Sequence, residues 1–419
     1  MKEGKSFEIS QYQFIEAYKR VKANQGAGGV DGIDLKSYEQ DLKNNLYKLW
    51  NRMSSGSYYP KAVRGVEIPK KDGRKRLLGI PTIEDRVAQM VVRMEFEPLV
   101  EPIFYEDSYG YRPNKSALDA VGATRERCWK MPWVLEIDIV GLFDHIDHEL
   151  TMQVVRKHTD CKWVILYIER FLKAPMVMPD GRVQERTTGT PQGGVISAVL
   201  SNLYMHYAFD RWMKGTQAGN PWERYADDAV IHCRSKGEAE KLRSQLEKRM
   251  ADCKLELHPE KTRIVYCKSD QNRGSHENES FDFLGYTFRI RYVKNRKGEY
   301  FQGFNPAASK GAGNKFRERI REIRRQNKAA DLKELAKKIN PVIRGWSNYF
   351  SKYTAREARQ VLDEVNLALV QWVQRKYKDV GKNRGRAFRW LARIAEWDPK
   401  LFYHWEMGIC PTVRLTRAV

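Results

Sequence analysis

The sequence predicts an α+β fold that gives way to an all-α basic module. Helical and alternating apolar patterns are intermixed up to residue 305, as in a chain that builds both helices and sheets. Past the small-residue stretch 306–314 only helical periodicity continues, at 315–326, 331–350, 355–378 and 386–396. Positive charge gathers in that same part. From Lys310 to Val419 there are 26 Lys or Arg against 11 Asp or Glu, an excess of +15 out of the chain's net +22. A chain of 419 residues has room for two to four domains of ordinary size.

The elements follow in order. Residues 11–24 and 35–53 read as helices joined by the Gly-rich turn QGAGGVDG. VRGVEIP at 63–69 alternates as a strand does. With 77–80, across the basic turn KKDGRKR, it makes a basic-tipped hairpin. A helix is expected at 84–101, then a β-branched and aromatic strand, WVLEIDI, at 133–139. Helices follow at 148–158, 162–173 and, long and apolar, at 195–213. Strands 222–225 and 229–233 flank a turn at 226–228. Ser235 and Glu238 have capping-box spacing and open a helix with Leu242, Leu246 and Met250 on one face. The polar stretch 268–280 reads as a loop, followed by a strand pair at 281–290 and 299–304. Pro306–Asn314 reads as the best domain boundary.

Composition narrows the function. No apolar run is long enough to span a bilayer, and the N-terminus lacks the apolar core of a signal peptide, so a cytoplasmic protein is expected. The six cysteines are scattered without a C-x-x-C pair, which argues against a zinc site or a disulfide framework. The basic C-terminal part attracts a polyanion through counterion release. Its tryptophans, Trp346, Trp372, Trp390, Trp397 and Trp405, lie amid helical patterns, which points to a folded basic domain rather than a lipid-binding tail.

Two features carry chemistry. Asp138 ends an apolar strand in EIDIVGLFDHI, and Asp227-Asp228 occupy the turn between two apolar strands in RYADDAVIHC. Adjacent, partly buried carboxylates repel one another unless a cation neutralises them. Hard divalent ions take one or two carboxylates together with phosphate oxygens and water. Two such ions can clamp the attacking and leaving oxygens of an in-line phosphoryl displacement, so the pattern suits nucleotidyl transfer. Asp is also a common turn residue, which is the plainer account of each taken alone.

Nine blocks, in order, decide between these accounts: ANQGAGGVDGID, GVEIPKKDGRKRLLGIPTIEDRVAQ, SYGYRPNKSALDAV, EIDIVGLFDHI, GTPQGGVISAVLSN, RYADDAVIH, HPEKT, FDFLGY and NPVIRGWSNYF. Together they resemble the reverse transcriptase/maturase proteins encoded by bacterial group II introns, over nearly the whole chain. The resemblance implies a right-hand polymerase fold of fingers, a palm with an antiparallel sheet, and a helical thumb, plus a C-terminal all-α maturase region. It divides the chain into an N-terminal extension and fingers at 1–132, palm at 133–305 with a fingers segment around 150–190, thumb helices at 306–355, and the remaining maturase region at 356–419.

The resemblance also implies roles. Asp138, Asp227 and Asp228 would be the catalytic carboxylates and, with the Ile139 carbonyl, would hold two Mg²⁺ ions, with Mn²⁺ able to substitute. Phe143 matches the aromatic gate beneath the incoming sugar. Lys70 and Arg76 match residues that hold the triphosphate, with Lys71 or Arg74 as substitutes. Gln192 in GTPQGG lies beside the nascent pair, and Lys261 near the leaving pyrophosphate, although a surface lysine would read the same. Phe283, Leu284 and Gly285 match the primer grip, where core packing would account equally for the first two. Tyr109, Tyr111, Arg112 and Asn114 match the template side, as an exposed aromatic-plus-Arg pattern suited to stacking and phosphate contact. Two departures touch no reacting group: Leu142 precedes Phe143 where many relatives have a second aromatic, and Ala198 follows Ser197 where Pro is usual.

The implied partners are structured intron RNA, an RNA template with a DNA primer, deoxynucleoside triphosphates and target DNA, with no membrane. The implied activity is RNA-directed DNA synthesis with assistance to splicing. No His-, Cys- and Asn-rich nuclease segment is expected. Two other readings stand beside it: a domesticated reverse transcriptase in anti-phage defence or CRISPR spacer acquisition, and an RNA-binding splicing factor without polymerase activity.

Overall fold

The computed structural model describes residues 6–69, 73, 75–294, 297–377, 380 and 383–412. The described chain falls into two compact units. One is built from residues up to Ala120 and from Leu135–Ile264, the other from Val121–Val134 and from Val265 onward. Eleven strands are named in chain order among the described residues: β1 (Val63–Pro69), β2 (Lys75–Ile80), β3 (Trp133–Asp138), β4 (Met176–Val177), β5 (Val183–Gln184), β6 (Trp222–Tyr225), β7 (Asp228–Cys233), β8 (Arg263–Tyr266), β9 (Ser280–Phe283), β10 (Tyr286–Lys294) and β11 (Tyr300–Ala308). Helices and predominantly antiparallel sheets bear out the α+β class.

The first unit packs helices around Ile83–Val100. Helix Gln11–Asn24 turns Phe14, Ala17, Tyr18 and Val21 inward, the i, i+3, i+4, i+7 stripe of an amphipathic helix. These residues join Leu49, Val87, Val91, Phe96, Tyr167 and Leu200 in one core. Each fully buried apolar side chain there contributes roughly 1.5–3 kcal/mol. Thr82 caps the central helix by accepting from the Asp85 N–H at 3.1 Å. The buried Asp85 carboxylate accepts from the Thr82 hydroxyl at 2.6 Å, the Lys61 N–H at 3.2 Å and the Tyr58 hydroxyl. Two sheets complete the unit's framework. One has the order β2-β1-β4-β5, with β1 and β2 antiparallel from Arg64↔Ile80 to Pro69↔Lys75. The other has the order β6-β7-β3-β8 and carries Asp138, Asp227 and Asp228.

The second unit holds an antiparallel sheet of order β11-β10-β9 and the helices Lys310–Gln326, Leu332–Phe350, Ala355–Lys376 and Arg384–Trp397. Phe281, Phe288 and Phe304 stack on one face of that sheet, with ring centres 4.7 and 6.0 Å apart. Helix Leu332–Phe350 opens on a complete capping box, Asp331 with Glu334, and buries Leu335, Ile339, Ile343 and Trp346. Asn366 ties down the chain near its end: its amide oxygen faces His404 Nε2 at 2.9 Å and accepts from Trp405 Nε1 at 2.8 Å. Burial pushes the His404 imidazole down to about 3, so it is neutral at physiological pH.

Several expectations are corrected. Residues 35–53 form two helices, Leu35–Glu39 and Leu42–Ser54, because Asp41 leaves helical geometry and engages the Asn44 amide at 2.7 Å. The apolar run 195–213 is interrupted by a wider π turn, His206–Asp210, between Ser197–Met205 and Arg211–Thr216. Pro306–Asn314, expected as a domain boundary, holds the end of a strand and the start of a helix. β11 continues through Ala308, Ser309 caps the next helix by accepting from the Ala312 N–H at 3.1 Å, and Lys310 begins that helix. Small residues there reflect close packing, and Pro306 is tolerated because β11 is an edge strand. The strand pair after residue 280 is three strands, since FDFLGYTF contains a two-residue turn at Leu284-Gly285. At Ser235, one half of the capping box forms and Glu238 accepts instead from the Arg234 N–H. Strands β4, β5 and β8 and the helix Ala117–Lys130 add to the expected elements.

Candidate active site

The site is built by β3 and the β6–β7 hairpin. Tyr225 pairs with Asp228, so Ala226 and Asp227 form a two-residue turn, with Ala226 in the left-handed region at φ +60°. A buried arginine holds this turn. Arg224 makes two 2.7 Å bonds to Asp210, donates to Asn202 at 3.2 Å and Ser108 at 2.8 Å, and reaches the Ala226 carbonyl at 3.1 Å. Both charged side chains of the Arg224–Asp210 pair are fully buried. The segment before Tyr111 lies against the same strand: the Tyr109 N–H donates to the Arg224 carbonyl at 2.8 Å, and the Arg224 N–H to Asp107 at 2.9 Å. A Cβ on Gly110 would come within 2.6 Å of the Ala226 nitrogen, so glycine is required for this approach.

Asp138 ends β3. Its carbonyl accepts from the His258 N–H at 2.8 Å, and the Val140 N–H donates to Glu256 at 2.9 Å. Ile139 therefore sits opposite Leu257 as a non-hydrogen-bonded pair, with its own carbonyl directed away from that strand. Lys261 Nζ lies 2.7 Å from Asp138 Oδ2. Loss of hydration first, then the Asp138 charge, raises the Asp227 carboxyl, against Arg76 and Lys261. Loss of hydration, the Asp227 charge and the Asp138 charge together push Asp228 up to about 7.

Behind Asp138 the chain turns through Gly141, at φ +51°, into the short helix Leu142–His145. The GTPQGG loop is clamped to that helix: Thr190 N–H donates to the Phe143 carbonyl at 2.6 Å and Gly189 N–H to Ile146 at 2.8 Å. Gln192 donates to Asp144 at 3.1 Å and accepts from Arg76. Arg76, Asp138, Ile139, Phe143, Gln192, Asp227 and Lys261 thus line one cleft of about 940 Å³, within the range of small-ligand sites. Lys70, Lys71 and Arg74 lie outside the described residues.

The SYGYRPN segment divides in two. Tyr111 is half exposed at φ +58°; its ring meets Phe143 edge-on at 6.3 Å and lies 6.2 Å from Tyr225. Asn114 is exposed. Tyr109 and Arg112 do not present the outward surface expected of them. Tyr109 is buried, and Arg112 is a structural staple that donates to Glu101 at 2.9 Å and to the carbonyls of Tyr105 and Ser108 at 2.6 and 2.8 Å. Those internal acceptors use the guanidinium that a template phosphate would need.

Phe283, Leu284 and Gly285 belong to the second unit. Leu284 and Gly285, at φ +51° and +82°, form the β9–β10 turn, while Phe283 is buried. The Leu284 carbonyl accepts from the Tyr349 hydroxyl and the Gly285 carbonyl from the Ser309 N–H, both at 2.9 Å.

Among the described residues no three His, Cys, Asp or Glu side chains are grouped as a ready-made metal cage. The donor set still fits a hard divalent cation. Carboxylates crowd together, loss of hydration and then their neighbours' charges raise Asp227 and Asp228, and an ion completed by phosphate oxygens and water needs only one or two of them. Sequence reasoning missed Arg224, Asp210, Asn202 and Ser108. The available signal for the pair was charged residues set among aromatic and apolar ones, Arg224 in WERY and Asp210 in YAFDRW.

Comparison with known proteins follows the same lines. Residues 68–288, just over half of the chain, match the family described as reverse transcriptase (RNA-dependent DNA polymerase), and residues 314–390 match the group II intron, maturase-specific domain. Protein YkfC of Escherichia coli K12 is 32% identical over 337 residues, 70% of this chain and 84% of that protein. Group II intron-encoded protein LtrA of Lactococcus lactis is 35% identical over 195 residues, 46% of this chain but 32% of LtrA. Nuclear intron maturase 1, mitochondrial, of Arabidopsis thaliana is 29% identical over 106 residues, 25% of this chain and 14% of that protein. Family membership of this kind implies dependence on a divalent metal and nucleic-acid substrates, and no helix among the described residues is long and apolar enough to cross a membrane. The chain belongs to the reverse transcriptase (RNA-dependent DNA polymerase) family and carries a group II intron maturase-specific domain.

Proposed function

We propose that this chain copies RNA into DNA, extending a primer with deoxynucleotides, and assists the splicing and mobility of a group II intron RNA. The observation that carries the reading is that Asp138, Asp227, Arg76, Gln192 and Phe143 line one and the same cleft. Residues 1–132 serve as extension and fingers, 133–305 as palm, 306–355 as thumb helices and 356–419 as the rest of the maturase region. The partners are structured intron RNA, a primed RNA template, deoxynucleoside triphosphates and target DNA, and the working compartment is the cytoplasm.

Asp138, Asp227 and Asp228, with the Ile139 carbonyl, would hold Mg²⁺; bound there, it would neutralise charge on the reacting phosphates and the primer's attacking oxygen. The remaining work falls to the chain's own groups. Arg76, now tied to Gln192, offers its planar fork to the triphosphate. Lys261, beside Asp138, donates a proton to the departing pyrophosphate. Phe143, on the lining of the same cleft, would exclude a ribose 2′-hydroxyl by collision with its ring. Tyr111 and Asn114 remain for the template strand.

Primer extension tests the reading. A DNA primer on an RNA template should be lengthened with deoxynucleotides and Mg²⁺, and not after chelation. Failure to extend, with intron splicing still stimulated, would leave a splicing factor alone. Phe143→Ala should raise ribonucleotide use relative to deoxynucleotide by roughly tenfold or more, a pocket change worth about 1–3 kcal/mol. Measured kcat/KM ratios unchanged from the parent would remove Phe143 from sugar selection.

A further inference from the structure

β10 and β11 pair over nine positions, from Tyr286↔Ala308 to Lys294↔Tyr300. β9 pairs only with Tyr286–Arg289 of β10. The distal half, Ile290–Lys294 with Tyr300–Phe304, therefore leaves the three-stranded sheet as a two-stranded ribbon. Tyr292 faces Gln302 and Lys294 faces Tyr300, so these four side chains share one face. Tyr292 is 73% exposed and Tyr300 72%. They are diagonal neighbours, roughly 7–8 Å apart on an antiparallel ladder. Lys294 Nζ stands 5.7 Å from the centre of the Tyr300 ring. The Gln302 amide donates to the Tyr292 hydroxyl. The outer edge of β11 is fixed at this level by Asp270, whose carboxylate accepts from the Gln302 N–H at 2.7 Å and whose own N–H donates to the Gln302 carbonyl at 3.1 Å.

Scattered exposed aromatics need no explanation, and cross-strand pairs help to hold a ribbon that would be marginal alone. That role uses ring edges. It does not account for two tyrosines leaving nearly three quarters of their surface to water on one diagonal, with an ammonium beside one of them. The surrounding sequence, RIRYVKNRKGEYFQ at 289–302, carries five Lys or Arg against one Glu, which favours a polyanion over an acidic or neutral protein surface. Paired aromatics on a solvent-facing sheet, flanked by a cation, are the arrangement on which unpaired bases stack.

We propose that the Tyr292–Tyr300 face of the β10–β11 ribbon binds single-stranded RNA, with bases stacked on the two rings and Lys294 meeting a backbone phosphate. The surface uses none of the residues assigned to nucleotide incorporation. Binding is measured without nucleotide or metal, so its failure and failure of the polymerase reading are distinguishable.

The experiment uses the full chain and a labelled, unstructured RNA of roughly a dozen nucleotides carrying 4-thiouridine. Fluorescence anisotropy reads affinity and mass spectrometry maps crosslinks. Tyr292→Ala/Tyr300→Ala should bind roughly tenfold or more weakly and lose crosslinks to peptide 289–302, with an unchanged circular dichroism spectrum. Tyr292→Phe/Tyr300→Phe should keep both signals, because stacking needs the ring and not the hydroxyl. Lys294→Gln should flatten the dependence of log affinity on log salt by about 0.7. Parental affinity in the Ala pair, with crosslinks confined to other peptides, overturns the proposal. So does a change in oligomeric state at constant RNA affinity, which would assign the face to contact between copies of the chain.

Discussion

Asp227→Asn is expected to slow primer extension by roughly a thousandfold or more while RNA affinity stays at the parental value. The argument rests on charge rather than shape. Asparagine keeps the size and turn preference of aspartate, so the Ala226-Asp227 turn should survive. What it removes is one carboxylate from the proposed metal site, where several kcal/mol of transition-state stabilisation would depend on a bound divalent ion, and each 1.36 kcal/mol is a factor of ten in rate. RNA affinity should persist because the basic excess lies elsewhere, from Lys310 on. A second readout separates lost chemistry from lost fold. Burial and the Asp138 charge already disfavour the charged form of Asp227, so the neutral side chain should unfold at the same temperature as the parent or higher. Single-turnover extension at the parental rate would exclude Asp227 from the metal site.

That site was largely legible from sequence because its signals are local. An aspartate ending an apolar strand and a pair of aspartates between two short strands specify their own secondary structure; β3 ends on Asp138 as expected, while the turn is one residue shorter than expected and Asp228 opens β7. Legibility failed where one residue pattern serves two orientations. In SYGYRPN an aromatic-plus-Arg run reads alike whether it faces solvent or core; the carbonyls of Tyr105 and Ser108, which claim Arg112, have no side-chain signature. Pro306 and Ala307 read as part of a domain boundary because proline and small residues are common there, whereas in β11 the edge position admits Pro306 and close packing accounts for the buried Ala307. The π turn at His206–Asp210 was hidden because apolar periodicity continues across it, and only its consequence, a buried Asp210 aimed at Arg224, shows why the extra residue is useful.

Arg224→Met should be the most destabilising single change at the site, costing about 3–5 kcal/mol, because it strands the fully buried Asp210 carboxylate without its partner. Urea unfolding would read the loss as a lower midpoint; a cost below about 1 kcal/mol would mean that the pair is not a buried charge pair at all. The double variant Arg224→Met/Asp210→Leu removes both charges, and apolar replacement of a buried pair is often neutral, so much of the lost stability should return. Activity should not return with it. Arg224 also donates to the Ala226 carbonyl, Ser108 and Asn202, and methionine offers none of those bonds. The Ala226-Asp227 turn would keep its strand pairing, the backbone bonds of residue 224 to Asp107 and Tyr109 and the Gly110 contact but lose the side-chain bond to the Ala226 carbonyl, and a carboxylate of the proposed metal site displaced by even 1 Å would cost about a hundredfold in rate. Stability recovered without primer extension would therefore identify the buried arginine as the residue that sets the position of the catalytic turn; recovery of both would reduce it to a replaceable packing element.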